Sequence, residues 1–395
     1  MSSIAAPVVE LADQLALFDP KLLPPSERAA SLARFFATES GRQRTSRFWR
    51  IDLEAVGPGS VPVDPNGATV RIENPNARAI ACDLQTAAQN HSALFRRAFG
   101  TTTAPATKFG ALAHAFAQLG AFVYLPADAD CDRAIAIEYA VRAGVAAFPS
   151  TVVLLERGAR ATVVERIVGG DDAFVCAATE IVSEENSDVH VTSCQRLAPS
   201  AQFLHARAAR PGRSARLGWT CAELGARLSA GDLSVAIEQP GADAGVTAVF
   251  FPNQSQHVDL ISNVDHVVGN STSRTWVKSA ATDKGQARYL GNIRIAPLAQ
   301  RSDASLRDDA LLLSESAHID SVPALEIGAN DVKAYHGATV GAIDREQIFY
   351  LQSRGIERSS AERMIALGFF EPAVERFPTE ALRDEVRSAL HAKLS

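Results

Sequence analysis

The sequence predicts a mainly β protein with helical segments at both ends, and three observations support this. Short apolar bursts alternate with polar residues from about residue 120 to residue 327. Turn-forming residues separate these bursts, and apolar residues before and after this region follow helical spacing instead. With 395 residues, 47% of them hydrophobic, the chain is long enough to form two or three structural units around a large core.

The N-terminal segment, residues 1–97, is predicted to be a small helical domain. Leu32 and Phe35 lie at helical spacing after Pro24–Ser26, and a proline followed by a serine is a typical helix start. The join from Gly57 to Asn76 is rich in proline, glycine and asparagine, which is typical of exposed connections. We therefore expect short helices with irregular joins.

The most apolar stretch, Phe109–Leu125, predicts a buried helix followed by a strand. His114, Gln118 and two glycines interrupt it, whereas a membrane span needs roughly 20 mainly apolar residues. The first residues show no basic segment followed by an apolar core and a cleavage site. We expect no membrane segment and a cytoplasmic location.

The central segment, residues 98–333, contains short strands at regular intervals, such as Asp188–Val191, Leu233–Ile237 and His257–Ile261. This spacing suits an antiparallel sandwich or barrel, or a stacked β-helix. Few Asn-Gly or Asp-Gly hairpin pairs occur, and small residues often precede the apolar bursts, which favours the β-helix. The sandwich and the barrel remain open as alternatives.

The C-terminal segment, residues 334–395, returns to helical spacing. Asp344 is a candidate N-cap for a helix with Ile348 and Leu351 on one face, and Gly355 stands at its C-terminal end. Two further helices are predicted, one from a Ser359/Glu362 capping box and one opened by Pro378, with an apolar stripe of Leu382, Val386 and Leu390. Such a stripe is expected to dock on its own protein, and docking on a partner is the alternative.

Several classes of function lack support in the sequence. The net charge of −6 provides no basic surface for nucleic acid. No phosphate loop, nucleophile elbow, zinc-protease or dinucleotide motif is present. The five cysteines form no C-x-x-C pair and are interpreted as buried thiols. We therefore expect no enzyme activity and no resident cofactor.

One polar cluster, His257, Asp259, Asp265 and His266, contains residue types that ligate metals or perform acid–base chemistry. On a strand, alternation would direct His266 away from the other three, so we expect polar residues on a solvated outer face. A β-helical carbohydrate enzyme is kept as a minor alternative, although the carboxylates are scattered along the chain.

The run Asp331–Gly341, DVKAYHGATVG, is followed by Ile343-Asp344-x-Glu346-Gln347-x-Phe349-Tyr350-Leu351 and then Ser353-Arg354-Gly355-Ile356. This long pattern resembles the C-terminal signature of the SufB/SufD family of iron–sulfur cluster assembly scaffolds. Glycine after the histidine resembles the SufD members, because SufB members usually carry glutamate there. The likeness is firm from about residue 255 to 370, and it is thin before that, for example at Trp49-Arg50.

The resemblance implies a right-handed parallel β-helix flanked by N-terminal and C-terminal helical domains. It also implies a complex in which this chain pairs with a SufB-like subunit and docks a SufC-type ABC ATPase. Nucleotide chemistry would then belong to the ATPase. A homodimeric SufB-like scaffold remains the alternative within the family.

Particular residues take their expected roles from the same resemblance. His336 matches the histidine implicated in building the nascent cluster at the subunit interface, and imidazole suits iron as a ligand. Many SufD members have a cysteine two positions earlier, where this chain has Ala334. Transient iron or a nascent cluster would therefore take its sulfur ligands from the partner. The expected ATPase contacts on the C-terminal helices are Phe349, Tyr350, Leu351 and Arg354.

Overall fold

The computed structural model describes residues 11–38, 61–102 and 104–394; Trp49 and Arg50 lie outside these ranges. The described residues form a parallel β-solenoid of about eight turns with helices at its N- and C-terminal ends. The predicted mainly β class and the β-helix are thus confirmed. Successive parallel strands pair within two sheets, so an antiparallel sandwich or barrel is not the fold.

One sheet has nine strands in the order β1-β4-β7-β9-β11-β13-β15-β17-β19. Its members are β1 (Ala68–Glu73), β4 (Ile135–Val141), β7 (Arg160–Gly169), β9 (Asp188–Leu197), β11 (Arg216–Glu223), β13 (Asp243–Phe250), β15 (Thr272–Ala281), β17 (Asp303–Leu312) and β19 (Lys333–Ala342). We call it the first sheet.

The second sheet has ten strands. Nine follow the order β18-β16-β14-β12-β10-β8-β6-β3-β2, and the tenth, β5, pairs with β8 beside this path. Its members are β2 (Ile80–Asp83), β3 (Gly120–Leu125), β5 (Ala146–Ala147), β6 (Ser150–Leu155), β8 (Phe174–Ser183), β10 (Gln202–Pro211), β12 (Leu228–Ile237), β14 (His257–His266), β16 (Gln286–Ile295) and β18 (His318–Ile327). Each turn of the solenoid contributes one strand to each sheet.

Alternation along each strand directs every second side chain into the interior between the two sheets. Equivalent inward positions stack from strand to strand and form continuous columns of buried residues. One column in the first sheet ends at the exposed His336, and its buried members are Ile135, Val163, Val191, Trp219, Val246, Thr275 and Leu306. Removing this apolar surface from water is the main source of stability of the stack.

Corners between strands are made by single residues in the left-handed backbone region. Non-glycine residues with positive φ include Asp128, Asn186, Ser214 and Asp283, each in a turn between two strands. Aspartate and asparagine tolerate this conformation better than most residues do. The corners therefore need no glycine-rich hairpin, which agrees with the scarcity of Asn-Gly and Asp-Gly pairs.

The beginning of the stack differs from the sequence-based expectation. The join that we predicted as an exposed connection contains β1, which pairs antiparallel with β4. β2 likewise pairs antiparallel with β3. The alternating pattern Thr69-Val70-Arg71-Ile72-Glu73 was overlooked because proline, glycine and asparagine surround it.

The N-terminal helices pack mainly on the outer face of the second sheet. They are α1 (Pro25–Ala37), α2 (Leu84–Asn90), α3 (Ser92–Phe95) and α4 (Lys108–Ala115), with 3-10 turns at Leu15–Leu17 and Ala104–Ala106. Leu32, Phe35 and Phe109 form a buried cluster with residues of that sheet. The buried guanidinium of Arg28 donates hydrogen bonds to the carbonyls of Ala115 and Ala117 at 2.9 Å. The predicted helix and strand within Phe109–Leu125 are confirmed as α4 and β3.

The C-terminal helices are α5 (Arg345–Ser353), α6 (Arg358–Val374) and α7 (Glu380–Ala392). The last strand ends at Ala342, so the strand stack continues beyond the predicted boundary at residue 333. The Ser359 capping box is wrong: α6 begins at Arg358, and its N-cap Glu357 makes no side-chain capping bond. The helix predicted from Pro378 begins at Glu380 and is capped by Thr379.

Candidate functional site

The two sheets finish together at the C-terminal end of the solenoid, which we call the open end. β18 is the last strand of one sheet and β19 is the last strand of the other. No described strand pairs with their outer edges, so backbone N–H and C=O groups are available there. Several large apolar side chains of these two strands are exposed: Val322 by 44%, Ile327 by 45%, Tyr335 by 60% and Val340 by 43%.

His336 lies at the centre of β19 and is exposed. It is in register with Leu306 of β17, which is fully buried in the interior core. His336 is therefore the last member of an inward-facing column whose other members are buried. Its imidazole is exposed because no further turn of this chain covers the open end.

No thiol of the described residues lies beside His336. Position 334 is an alanine that packs on the core and is in register with Ala304. Cys131, Cys176, Cys194 and Cys221 are buried, and Cys82 is half-buried on β2. Burial raises the pKa of Cys221 to about 12, and it raises that of Cys194 to the same level, so both thiols stay protonated at neutral pH.

The interior column next to that of His336 contains Cys221, but it lies far from the open end. Four strand-to-strand steps separate β11 from β19 in the first sheet. At about 4.8 Å per step this is roughly 19 Å. Within residues 11–38, 61–102 and 104–394, no three histidine, cysteine, aspartate or glutamate side chains are placed to share a metal ion.

α5 follows the open end directly and presents an exposed aromatic face. Phe349 is 73% exposed and Tyr350 is 57% exposed, whereas Ile348 faces inward and is buried. The guanidinium of Arg354 lies 5.4 Å from the centre of the Tyr350 ring. Leu351 is half-buried at a shallow groove of about 440 Å³ that also contacts Ile365 of α6. Three of the four predicted contact residues thus lie on one short helix, and Arg354 directly follows it as the C-cap residue.

The caps of α5 are those predicted from the sequence. The Asp344 carboxylate accepts a hydrogen bond from the backbone N–H of Glu346 at 2.9 Å. Gly355 follows the helix with φ of +85°, a conformation that glycine adopts without strain. These two residues fix where the helix begins and where the chain turns after it.

α6 and α7 dock on the outer face of the first sheet. The apolar stripe of α7, Leu382, Val386 and Leu390, is buried in one cluster with Phe370 of α6 and residues of the sheet. The stripe therefore docks on its own protein, as predicted. Two aromatic residues of α6 contact the sheet. The ammonium of Lys278, on β15, lies 4.0 Å from the centre of the Phe369 ring. The ring centres of Phe370 and of Phe251, which follows β13, are 5.8 Å apart.

Comparison with known proteins places this architecture in a family. Residues 139–369, more than half of the chain, match the description "SUF system FeS cluster assembly, SufBD core domain". The chain belongs to the SufBD family. The match runs from β4 to α6 and includes both His336 and the exposed face of α5.

Similar curated proteins carry the same family name. The chain is 26% identical over 303 residues to an iron–sulfur cluster assembly SufBD family protein of Staphylococcus saprophyticus. It is 25% identical over 303 residues to proteins of the same name from Staphylococcus epidermidis and Staphylococcus aureus. Each alignment covers 75% of this chain and 65% of the relative, so the chain spans less than two thirds of the relatives' length.

The polar cluster on β14 of this SufBD protein does not form one site. His266 accepts or donates hydrogen bonds with Ser271 at 2.7 Å and Ser273 at 2.8 Å, and burial lowers its pKa to about 4. Asp259 faces the other way and pairs with Arg288 at 3.2 Å. The split between faces is as expected. The expectation of a solvated outer face is wrong at Asp259, which is 1% exposed.

Sequence reasoning missed the charged groups inside the solenoid. Arg207 of β10 donates to Glu223 of β11 at 2.6 Å, and both side chains are almost completely buried. Asp308 of β17 also faces inward and is fully buried. The available signal was the phase of each strand, because Asp308 falls in step with the core residues Ala304, Leu306 and Ala310.

The described part of this SufBD protein contains no helix that is both long and apolar enough to span a membrane.

Proposed function

We propose that this chain is a non-catalytic scaffold subunit of the SufD kind in iron–sulfur cluster assembly. In this proposal its open end pairs with a SufB-like chain, and α5 docks a SufC-type ABC ATPase. The observation that carries the proposal is the exposed His336 at the end of an otherwise buried interior column. A second solenoid end placed there would bury His336 at the junction of two subunits.

The open end has the properties of a surface that a second β-solenoid covers. Unpaired strand edges support pairing with another chain through main-chain hydrogen bonds. The exposed Val322, Tyr335 and Val340 add apolar surface around those edges. Pro323, which cannot donate a backbone hydrogen bond, lies on the edge strand β18, where proline is tolerated.

The donor chemistry of this chain suits a shared site. His336 supplies an imidazole for iron, and Ala334 supplies no thiolate. Sulfur ligands would then come from the SufB-like partner, and the cluster is cargo of the complex rather than a resident group of this chain. The five free cysteines suit the cytoplasm, where thiols stay reduced, and we propose that the complex works there.

The proposed ATPase surface is the exposed face of α5. Aromatic and arginine side chains such as Phe349, Tyr350 and Arg354 are frequent anchors of protein interfaces. The chain has no phosphate loop of its own, so ATP hydrolysis would have to come from a partner. Glycine at position 337, next to His336, favours the SufD assignment over SufB.

Co-expression and affinity purification test the proposal. The tagged chain should retain a SufB-like subunit and a SufC-type ATPase through size-exclusion chromatography. His336→Ala should preserve this assembly and lower the iron–sulfur cluster yield several-fold, measured by absorption and iron content, because an imidazole ligand is lost. Failure to retain either partner contradicts the proposed function, and full cluster yield with His336→Ala returns that residue to a structural role.

The same preparation distinguishes a homodimeric SufB-like scaffold. Two copies of this chain could pair through their open ends about a two-fold axis, because the same surface would meet itself. Light scattering of the purified chain, with and without the SufB-like subunit, decides between the two. A homodimer that persists when the SufB-like subunit is in excess supports the alternative.

A further inference from the structure

Asp308 is an unusual residue for its position. It lies on β17 in an inward column between Val277 and Ala338, and its side chain is fully buried. A buried carboxylate is costly unless it is neutralised, paired with a cation or bound to a metal. In the described residues no arginine, lysine or histidine forms an ion pair with Asp308.

The contacts of Asp308 leave one oxygen without a partner. Ser321 of β18 donates a hydrogen bond from its hydroxyl to Oδ2 of Asp308. Oδ1 is buried and has no hydrogen-bond partner among the described residues. The unused acceptor lies in the interior, one strand below the last turn of the solenoid.

The register places this carboxylate next to His336. Asp308 pairs with Ala338, and Leu306 pairs with His336, so the two polar residues occupy neighbouring inward positions on adjacent strands. With strands about 4.8 Å apart and a rise of about 3.3 Å per residue, their Cα atoms are roughly 8 Å apart. Both side chains extend toward the interior, and residues 334 and 338 beside them are alanines.

We propose that Asp308 and His336 together hold a divalent first-row transition-metal ion at the open end. Carboxylate oxygen and imidazole nitrogen are donors that such ions accept, and a thiolate is not required. No third histidine, cysteine or carboxylate of the described residues joins the two, so water or the partner subunit completes the coordination. The identification of the ion as iron rests on the proposed function, but the two-ligand site does not.

The small neighbours make this arrangement feasible. Ala334 and Ala338 reach no further than Cβ, so no long side chain flanks His336 at the neighbouring inward positions of β19. A metal–ligand distance of about 2.0–2.2 Å to each donor requires the two donor atoms to approach within about 4 Å. Asp308 is fully buried, so the exposed His336 side chain would supply that adjustment by rotation.

Titration of the purified full chain with Co(II), without oxygen, tests the site. Visible absorption bands report the ligand set, and calorimetry reports the affinity. We expect the wild-type chain to bind Co(II), and we expect Asp308→Asn and His336→Gln each to weaken binding by about tenfold or more. Asp303→Asn is the matched control, because Asp303 lies on the same strand, faces outward and pairs with the exposed Arg274. It should bind as the wild type does.

Thermal melting shows whether each variant is folded. Asn keeps the size and the Ser321 contact of Asp308 while removing its charge, so Asp308→Asn should melt at or above the wild-type temperature. A wild-type chain that takes up no Co(II), or an Asp308→Asn variant with unchanged affinity, overturns the inference. Because partner retention is measured separately, a chain that assembles but binds no Co(II) leaves the proposed function intact.

Discussion

The two ends of the strand stack are built differently although they terminate the same interior. At the first end, β1 and β2 add to the sheets as antiparallel strands. Val70 and Ile72 of β1 lie in register with Tyr139 and Ile137 and pack on the core. At the open end, β19 continues the parallel pattern. Its residues His336 and Val340 are exposed, because no further described strand covers them.

The difference supports the open end as the surface for the proposed partner. β1 and β2 run against the direction of the coil, so the repeat of parallel turns is interrupted at this end. β1 and β2 are also short, and β1 carries the charged Arg71 and Glu73, as edge strands that avoid pairing often do. The last strands at the open end are instead ten residues long and run parallel to their neighbours.

The largest expected effect comes from adding charge to the open end. Tyr335→Asp combined with Val340→Asp should weaken binding of a SufB-like subunit by about 100-fold, because two carboxylates would be buried without partners at the junction. Both side chains are exposed in this chain, so its melting temperature should change little. Binding is measured by immobilising this chain on a surface and titrating it with the SufB-like subunit.

The matched control lies at the first end. Thr69→Asp introduces a carboxylate at an exposed position of β1 and should leave binding of the SufB-like subunit unchanged. Equal loss from both ends would show that overall charge, rather than the open end, determines pairing.

A smaller effect is expected on α5, which adjoins the open end. Phe349→Asp, or Leu351→Asp, should reduce SufC binding by about tenfold or more, since an interface anchor is replaced by a charge. The circular dichroism of the β-solenoid should not change. Val267→Asp alters a side chain of similar character, 40% exposed, in the turn after β14 and serves as the control. Unchanged ATPase binding by both α5 variants would count against this docking surface.

The smallest effect concerns the middle of the stack rather than its ends. Burial lowers the pKa of His190 to about 4, against an ordinary value of 6.5 in the unfolded chain. The unfolded state therefore binds the proton first, so stability present above pH 6.5 is lost as the pH falls toward 4. For this one histidine the loss between pH 7 and pH 5 is about 2 kcal/mol.

Urea unfolding at the two pH values measures that contribution. His190→Gln should reduce the pH dependence of the free energy of unfolding, whereas Thr162→Ala, at the neighbouring position on β7, should keep it. The same pH dependence in His190→Gln and the wild type would mean that His190 is not neutral in the folded protein.

Regular patterns explain which parts of the fold could be predicted from the sequence. Alternating strands, the α5 cap at Asp344 and Gly355 at its end depend on local physical preferences that a sequence displays directly. The start of α6 did not follow its local signal at Ser359, since the helix begins one residue earlier, after an N-cap residue, Glu357, that makes no side-chain capping bond. β1 was missed because its pairing partner, β4, is distant in the sequence and turn-forming residues surround it.

The candidate site likewise contains one residue that the sequence identified and one that it did not. His336 was identified by resemblance, and its exposure follows from its place on the last strand. Asp308 was not identified, because a carboxylate between polar neighbours gives no indication of burial unless the phase of the strand is known. Only the register between β17 and β19 shows that Asp308 and His336 occupy adjacent inward positions.

The antiparallel strands at the first end also bear on how many copies could join in the proposed assembly. A solenoid with two continuable ends would add units head to tail and grow into a fibre. If the proposed pairing uses the open end alone, two such chains, like or unlike, would complete each other and leave no open end for a third. Protecting one end would thus set the size of the proposed assembly as well as cover the core.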